Sequence, residues 1–267
     1  MRRTFDRMSI CAMILAFSIQ HGCVPVRKAR VEQPEPSQIE GTAAGKQLDE
    51  LHKIIFRANE KYQEVEDYRC VFLKRQRIGD ELQTTQRILL KFKKPMSVYM
   101  KWLNEPHKGQ EVLYVPVRYG EKGFARAGGW KGKLMPVIRI DVDGYWVMRD
   151  NLRTLDKVGI GPFLDIFMEN FRRADKADEG ALIDRGEGKV GERPVRVIES
   201  VLPPEEGKGY YCYRCVIHYD KENGLPLKIE IYDWDNKLRE EYQYTELELN
   251  VGLKDKDFDR ENPEYSF

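Results

Sequence analysis

The sequence has little histidine, and it lacks the short motifs that many hydrolases use. It contains four histidines, one of them within the first 22 residues, and neither a G-x-S-x-G elbow nor an H-E-x-x-H pair. Hydrolases need a nucleophile, a base or metal ligands held close together. We therefore expect a protein that is not an enzyme and that uses no cofactor or metal.

An excess of charge of either sign is also absent. Lys and Arg number 45 against 44 for Asp and Glu, which gives a net charge of +1. Nucleic-acid-binding domains normally carry a clear basic excess. The balance argues against nucleic acid as a partner and restricts any binding to local surfaces.

Long hydrophobic runs are missing as well, apart from one short run near the N-terminus. The basic start at residues 1–7 is followed by the apolar run SICAMILAFSI at 9–19, which is typical of a signal-peptide core. The run ends at Gln20-His21-Gly22-Cys23, which resembles a lipobox, although Gln20 stands where an aliphatic residue is usual. We expect a signal peptide over 1–22 and a lipid anchor on Cys23. A cleaved signal without lipid and a short transmembrane anchor are the alternatives.

Residues 23–45 have the composition of a flexible tether. Residues 24–45 contain three prolines and show no hydrophobic periodicity, so they cannot bury enough surface to fold. Such a segment can connect a lipid-modified cysteine to a folded domain. The remainder, 46–267, is predicted to form a single β-rich domain.

The domain alternates between helical and strand periodicity. Apolar residues at steps of three and four predict helices over about 46–65 and 161–174. Period-two alternation and turn signals predict strands over about 68–78, 87–93, 98–102, 111–117, 122–126, 137–142, 181–185, 195–201, 210–220, 225–233 and 237–249. This order favours an α+β fold in which one strongly curved antiparallel sheet, a half-open barrel, wraps around two helices.

The concave face of such a sheet offers a hydrophobic pocket. Apolar side chains that repeat on one face of a strand are candidates for its lining: Met100, Trp102, Tyr211, Tyr213, Ile217, Leu227, Ile229 and Ile231. The alternative is that these side chains fill a core. Trp130, between glycines at 128–129 and 132, is expected to be exposed at the rim of the sheet.

Three cysteines lie in the exported domain, and an oxidising compartment permits one pair among them. Cys212 and Cys215 form a C-x-x-C within a predicted strand, where their odd spacing places them on opposite faces. We therefore expect a disulfide from Cys70 to Cys212 or to Cys215, with buried free thiols as the alternative.

Three segments together resemble a known bacterial family. They are KKPMSVYMK at 93–101, GQEVLY at 109–114 and FDRENPEYSF at 258–267. They resemble the domain of unknown function 1571, and the likeness spans about 68–267. That family is similar in outline to the periplasmic lipoprotein carriers of the Lol pathway, LolA and LolB, and to envelope-stress regulators of the RseB type. The resemblance implies a curved antiparallel sheet over helices that holds acyl chains, and it supplies no catalytic residues.

These observations lead to one expectation about function. The chain is expected to be an envelope lipoprotein that faces the periplasm and is attached to a membrane through its N-terminal lipid. Its concavity would bind acyl chains or a lipidated envelope protein by apolar burial alone. The alternative is a non-enzymatic interaction or stress-sensor module with a filled core.

Overall fold

A computed structural model describes residues 43–267, without the side chains at 43–45, 131 and 133. The predicted signal peptide, Cys23 and most of the predicted tether lie outside the described residues. The described elements follow one another as α1 (Ala43–Gln63), β1 (Asp67–Ile78), β2 (Glu81–Leu82), β3 (Gln86–Lys93), β4 (Ser97–Trp102), β5 (Glu111–Tyr114), α2 (Pro116–Tyr119), β6 (Lys122–Arg126), α3 (Gly129–Leu134), β7 (Ile138–Asp141), α4 (Tyr145–Met148), α5 (Ile160–Lys176), β8 (Ala181–Val190), β9 (Arg193–Val201), β10 (Arg214–Asp220), β11 (Pro226–Tyr232) and β12 (Leu238–Leu249).

The two long helices, α1 and α5, are amphipathic and pack against each other. Ile55 and Ala58 in α1 and Leu164 in α5 are almost fully buried, as the spacing of the apolar residues predicts. The helices are in contact at Gly161, where a methyl group would overlap the ring of Tyr62. Glycine is therefore required at this position for the helices to touch.

The strands form one antiparallel sheet in the order β7-β6-β5-β4-β3-β1-β12-β11-β10-β9-β8, and the short β2 pairs with the end of β1. The edge strands β7 and β8 do not pair with each other, so the sheet is open. Neighbours in the chain are mostly neighbours in the sheet. The exception is the pairing of β1 with β12, which joins the two ends of the domain.

The sheet curves around the two long helices. Eleven strands spaced about 4.8 Å apart would form a flat sheet roughly 48 Å wide, whereas two adjacent helices cover only about 20 Å. Even so, Ile140 from edge strand β7 and Val190 from edge strand β8 belong to the same buried core as α1 and α5. The predicted α+β fold with a curved sheet around two helices is confirmed.

Some element boundaries differ from the prediction. The strand expected over 210–220 begins only at Arg214, and the strand expected over 111–117 ends at Tyr114. Pro116 begins the short helix α2 because its fixed φ suits the first turn of a helix. The strand expected over 181–185 continues to Val190, with a bulge between Asp184 and Gly186.

A second, smaller core lies on the convex face, and it brings the three family-like segments into contact. Tyr99 stacks on Tyr265 with ring centroids 3.8 Å apart. The buried carboxylate of Glu111 accepts a 2.8 Å hydrogen bond from the backbone N–H of Ser266 and pairs with Lys101 Nζ at 2.9 Å. The segments around 93–101, 109–114 and 258–267 therefore contact one another and hold the C-terminus against the sheet.

Candidate ligand-binding cavity

A cavity of about 790 Å³ lies on the concave face of the sheet. Strands β1, β3 to β7 and β12 form its floor, and the chain segment from Tyr145 to Gly159 contributes to the opposite wall. Its apolar lining includes Phe72, Ile88, Met100, Trp102, Val112, Ala125, Ile138, Ile140 and Tyr244. The cavity is therefore a large apolar space within an otherwise packed domain.

The apolar floor is continuous across four adjacent strands. Met100 in β4 lies directly opposite Val112 in β5, which lies opposite Ala125 in β6, which in turn lies opposite Ile138 in β7. Directly opposite side chains on one face of an antiparallel pair are close neighbours. The four residues, which we call the apolar row, form a groove that runs across the strands.

The cavity is open because the long helices cover only the other part of the concave face. Phe167 and Phe171 of α5 share a small cavity of about 20 Å³ with Cys215 of β10 and Ile231 of β11. Helix α5 therefore packs closely over β9 to β11. Over the cavity the sheet faces mainly the short helix α4 and the irregular segment that follows it, and α5 contributes only Phe163 to the lining.

A buried polar cluster forms one end of the cavity. The register of β1 and β12 places Lys74 opposite Tyr242 and Gln76 opposite Glu240. The carboxylate of Glu240 is fully buried and pairs with Arg153 Nε at 2.7 Å. It also accepts hydrogen bonds from the hydroxyl groups of Tyr211 at 2.5 Å and Tyr242 at 2.6 Å.

The protonation of this polar cluster follows from its contacts. Burial alone would raise the pKa of Glu240, but the charge of Arg153 and the two tyrosine hydroxyls hold it below its usual value. Burial lowers the pKa of Lys74 to about 8, partly offset by the charges of Asp150 and Glu240. The cluster therefore contains one carboxylate that stays ionised at neutral pH and one lysine with a pKa of about 8.

The charged side chains of the cavity are mostly cationic. Among the described residues that line it, the only carboxylate is Asp150, and the cations on the concave side are Lys74, Arg149, Arg153 and Lys157. Arg149, Arg153 and Lys157 pair with Asp150, Glu240 and Asp156, whereas no carboxylate among the described residues pairs with Lys74. The side chains of Arg126 and Arg139 belong to the convex face, because these residues lie opposite Glu111 and Phe124 in the sheet.

The rim of the cavity carries exposed apolar side chains. Trp130 is 70% exposed, as the sequence predicted, although it lies in helix α3 and not in a loop. Between residues 130 and 148 the exposed large apolar residues are Trp130, Leu134, Met135, Tyr145, Trp146 and Met148. Met135 and Trp146 also line the cavity, so this exposed surface, which we call the rim patch, is continuous with the interior.

The sequence-predicted pocket residues fall into four groups. Met100 and Trp102 line the large cavity, and Tyr211 and Ile231 line the small one under α5. Tyr213 is half-buried and lines neither cavity. The others are fully packed in the core: Ile217, Leu227 and Ile229.

Sequence reasoning missed most of the true lining of the large cavity. Phe72, Lys74 and Gln76 alternate along β1 and all face the cavity. The polar members of this series broke the apolar pattern on which the prediction relied. A signal was present, because Lys74 and Gln76 occupy the same strand face as the buried Cys70 and Phe72.

The three cysteines are free and buried, so the predicted disulfide is not formed in the structure. Cys212 precedes β10, and strand alternation therefore does not separate it from Cys215. Both line the same small cavity, which corrects their expected placement on opposite faces. Burial raises the pKa of the Cys212 thiol to about 12, which makes it a poor nucleophile.

Two further properties concern the described part of the chain. It contains no group of three or more His, Cys, Asp or Glu side chains that could hold a metal ion. In residues 43–267 no helix has both the length and the apolar character needed to cross a membrane.

The fold and the cavity define a class of α+β proteins in which one open antiparallel sheet curves around two helices and encloses an apolar space. A family model described as "Protein of unknown function (DUF1571)" matches residues 65–267. The chain belongs to this family, as the three sequence segments predicted. No curated protein sequence matches the chain.

Several solved structures are similar to the chain. The lipoprotein LppX of Mycobacterium tuberculosis is 7% identical, with a TM-score of 0.46 over 76% of this chain and 96% of that chain. MucB, in the MucA/MucB complex of Pseudomonas aeruginosa, is 18% identical, with a TM-score of 0.42 over 78% of this chain and 59% of that chain. A putative outer membrane lipoprotein-sorting protein domain from Vibrio parahaemolyticus is 15% identical, with a TM-score of 0.38 over 78% and 97%. The chain thus spans nearly all of two of these structures but little more than half of MucB.

Proposed function

We propose that the chain is an exported envelope lipoprotein, anchored through Cys23 and facing the periplasm, that binds acyl chains or the acyl part of a lipidated partner. The observation that supports this most directly is the cavity of about 790 Å³ with its continuous apolar row. Ligand pockets in proteins commonly measure about 300–1,000 Å³. The cavity is therefore large enough for a chain-like apolar ligand.

The energetics of an acyl ligand suit this cavity. Each CH₂ group that leaves water for an apolar site contributes about 0.8 kcal/mol. The residues of the apolar row, Met100, Val112, Ala125 and Ile138, contain no polar side-chain atom that would need a hydrogen-bond partner. Binding would therefore depend on shape and apolar burial, and it involves no chemical reaction.

The rim patch supports access from a membrane. Trp146 and Met135 are exposed and also line the cavity. Aromatic side chains such as Trp130 and Tyr145 favour the boundary between water and lipid. An acyl chain that leaves a bilayer would thus meet apolar side chains before it reaches the cavity.

The test is saturable binding of a fluorescent fatty acid. The protein is purified as the cell processes it, stripped of bound lipid and titrated with dansyl-undecanoic acid, which is then displaced with oleate. Ala125→Trp should fill the apolar row and abolish the displaceable signal. Ala181→Trp, on the exposed edge strand β8, is the matched control and should bind normally.

Two outcomes would contradict the proposal: no displaceable signal in the native protein, or full affinity in Ala125→Trp. A silent native protein would favour an interaction or sensor module, for which the closely packed face under α5 would be sufficient. The anchor is tested separately by mass spectrometry of the purified protein. A diacylglycerol-modified N-terminal Cys23 is expected, and an unmodified Cys23 would rule out the lipid anchor.

A further inference from the structure

Lys74 is a buried cation without an ion pair, whereas the protein otherwise balances most of its charges. Many surface cations have a carboxylate partner, such as Arg69 with Glu248 and Arg75 with Glu241. In the cavity, Lys74 has no carboxylate among the described residues within ion-pairing distance. An uncompensated cation that lines an apolar space attracts an anion into it.

Two of the cations are buried and retain unused hydrogen-bonding capacity. Lys74 donates one hydrogen bond, to the side-chain oxygen of Asn151, out of the three that an ammonium group can donate. The side chain of Arg153 is only 9% exposed, and its Nη2 has no acceptor among the described residues. Buried donors without an acceptor are rare in native proteins because they cost free energy. The spare donors of Lys74, which lines the cavity, therefore favour a ligand that brings an acceptor.

The buried cations and the apolar row lie in different parts of the same cavity. Lys74 belongs to β1, and Arg153 pairs with Glu240 of β12, whereas the apolar row crosses β4 to β7. The aromatic residues Phe72 and Tyr244 lie opposite each other between these parts and also line the cavity. The cavity is thus cationic at one end and apolar at the other.

We propose that the cavity selects amphiphiles with an anionic head, a carboxylate or a phosphate monoester, over neutral amphiphiles with the same tail. The head lies near Lys74 and Arg153, and the tail lies along the apolar row. This inference rests on the proposed function and adds to it the chemical class of the head group. Glu240 stays paired with Arg153 Nε, so the anion meets the ammonium group of Lys74 beside this pair.

The first test compares ligands with one tail and different heads. Dodecanoate, dodecyl phosphate and dodecan-1-ol are titrated into the delipidated protein by calorimetry, with acetate and inorganic phosphate as heads without tails. Both anionic amphiphiles should bind about tenfold or more tightly than the alcohol, because charge-assisted hydrogen bonds are the stronger ones. Acetate and phosphate should bind far more weakly.

The outcomes separate this inference from the proposed function. Equal affinity for all three amphiphiles would overturn the head-group selection and leave acyl binding intact. No binding of any amphiphile would overturn the proposed function itself. Binding of acetate or phosphate as tightly as the amphiphiles would identify a site for small anions and overturn both.

The second test removes one cation. Lys74→Met keeps the length of the side chain and eliminates a buried charge, which favours folding. This variant should bind dodecanoate about tenfold more weakly and dodecan-1-ol as the native protein does. Lys176→Met, at the exposed end of α5, is the matched control and should change neither affinity. An equal loss for both ligands in Lys74→Met would indicate a structural role and overturn the assignment.

Discussion

The two parts of the concave face use the same kind of strand but differ in what covers them. The closed part, β9 to β11, lies under α5, and its inward side chains are mostly apolar, for example Ile217 and Ile229. The open part, β1 and β3 to β7, also presents Lys74, Gln76 and Gln86 to the interior. Polar side chains on an inward face need partners that an apolar helix surface does not supply. A mixed inward face therefore favours a cavity, whereas an apolar face favours a packed helix.

The largest expected effect on the free energy of unfolding comes from the boundary between the two parts. Arg153 lines both cavities and pairs with the buried Glu240. Glu240→Ala should lower the free energy of unfolding by about 3–5 kcal/mol, because it leaves a buried guanidinium without its partner. Glu248→Ala, in the same strand but in an exposed pair with Arg69, should cost no more than about 1 kcal/mol. Urea unfolding measures both.

The pH dependence of this pair has a definite sign. The pKa of Glu240 is lower in the folded protein than its ordinary value of 4.5, so its contribution is present above that pH. The contribution is lost as the pH falls below 4.5 toward the folded pKa. The contrary outcome is that Glu240→Ala and Glu248→Ala are equally stable. That result would show that Arg153 reaches water or another partner once Glu240 is removed, and that the boundary between the two parts is open to water.

The packing of the two parts can be compared by mutating one isoleucine in each. Ile229 is fully buried in β11, whereas Ile138 in β7 is half-buried beside the cavity. Ile229→Ala should destabilise the protein by about 2–5 kcal/mol because it creates a void in a packed core. Ile138→Ala should cost less than about 2 kcal/mol, since its neighbourhood is already unfilled. Equal losses of unfolding free energy in urea would mean that the open part is packed as tightly as the closed part.

Ligand length tests whether the apolar row holds the tail. Two additional CH₂ groups, from decanoate to dodecanoate, should strengthen binding by about tenfold, at about 0.8 kcal/mol for each group. Calorimetry measures both affinities in the native protein and in Ala125→Trp. The dependence on length should disappear in the variant. A native protein whose affinity does not change with length would place the tail outside the cavity.

The smallest expected effect is the pH dependence of dodecanoate binding. The ammonium group of Lys74 loses its proton as the pH rises through about 8, so affinity should fall up to about tenfold between about pH 7 and pH 10. Lys74→Met should show no such fall. The other charged or titratable groups near Lys74 are Asp150, Glu240, His107, Arg149, Arg153 and Tyr242, whose pKa burial raises well above its usual value. They should keep their charge over this range, and an unchanged fall in Lys74→Met would assign the titration to one of them.

Local sequence patterns were sufficient for most of the secondary structure. The spacing of Ile55, Ala58 and Tyr62 predicts α1, and the alternation of Ile88, Leu90 and Phe92 predicts β3, because both periods depend only on backbone geometry. The predicted helix over 161–174 corresponds to α5 at Ile160–Lys176. The family-like segments also led to the correct family and to a curved sheet around two helices.

The sequence by itself determined which apolar side chains of a strand share a face, but only the tertiary structure decided which inward face is filled. Met100 and Ile217 look equivalent in their strands, yet one borders the cavity and the other is packed in the core. The difference depends on where α5 lies, and the Arg153–Glu240 pair joins residues 87 positions apart. Such long-range contacts leave no local period in the sequence, since they arise only when distant elements pack together.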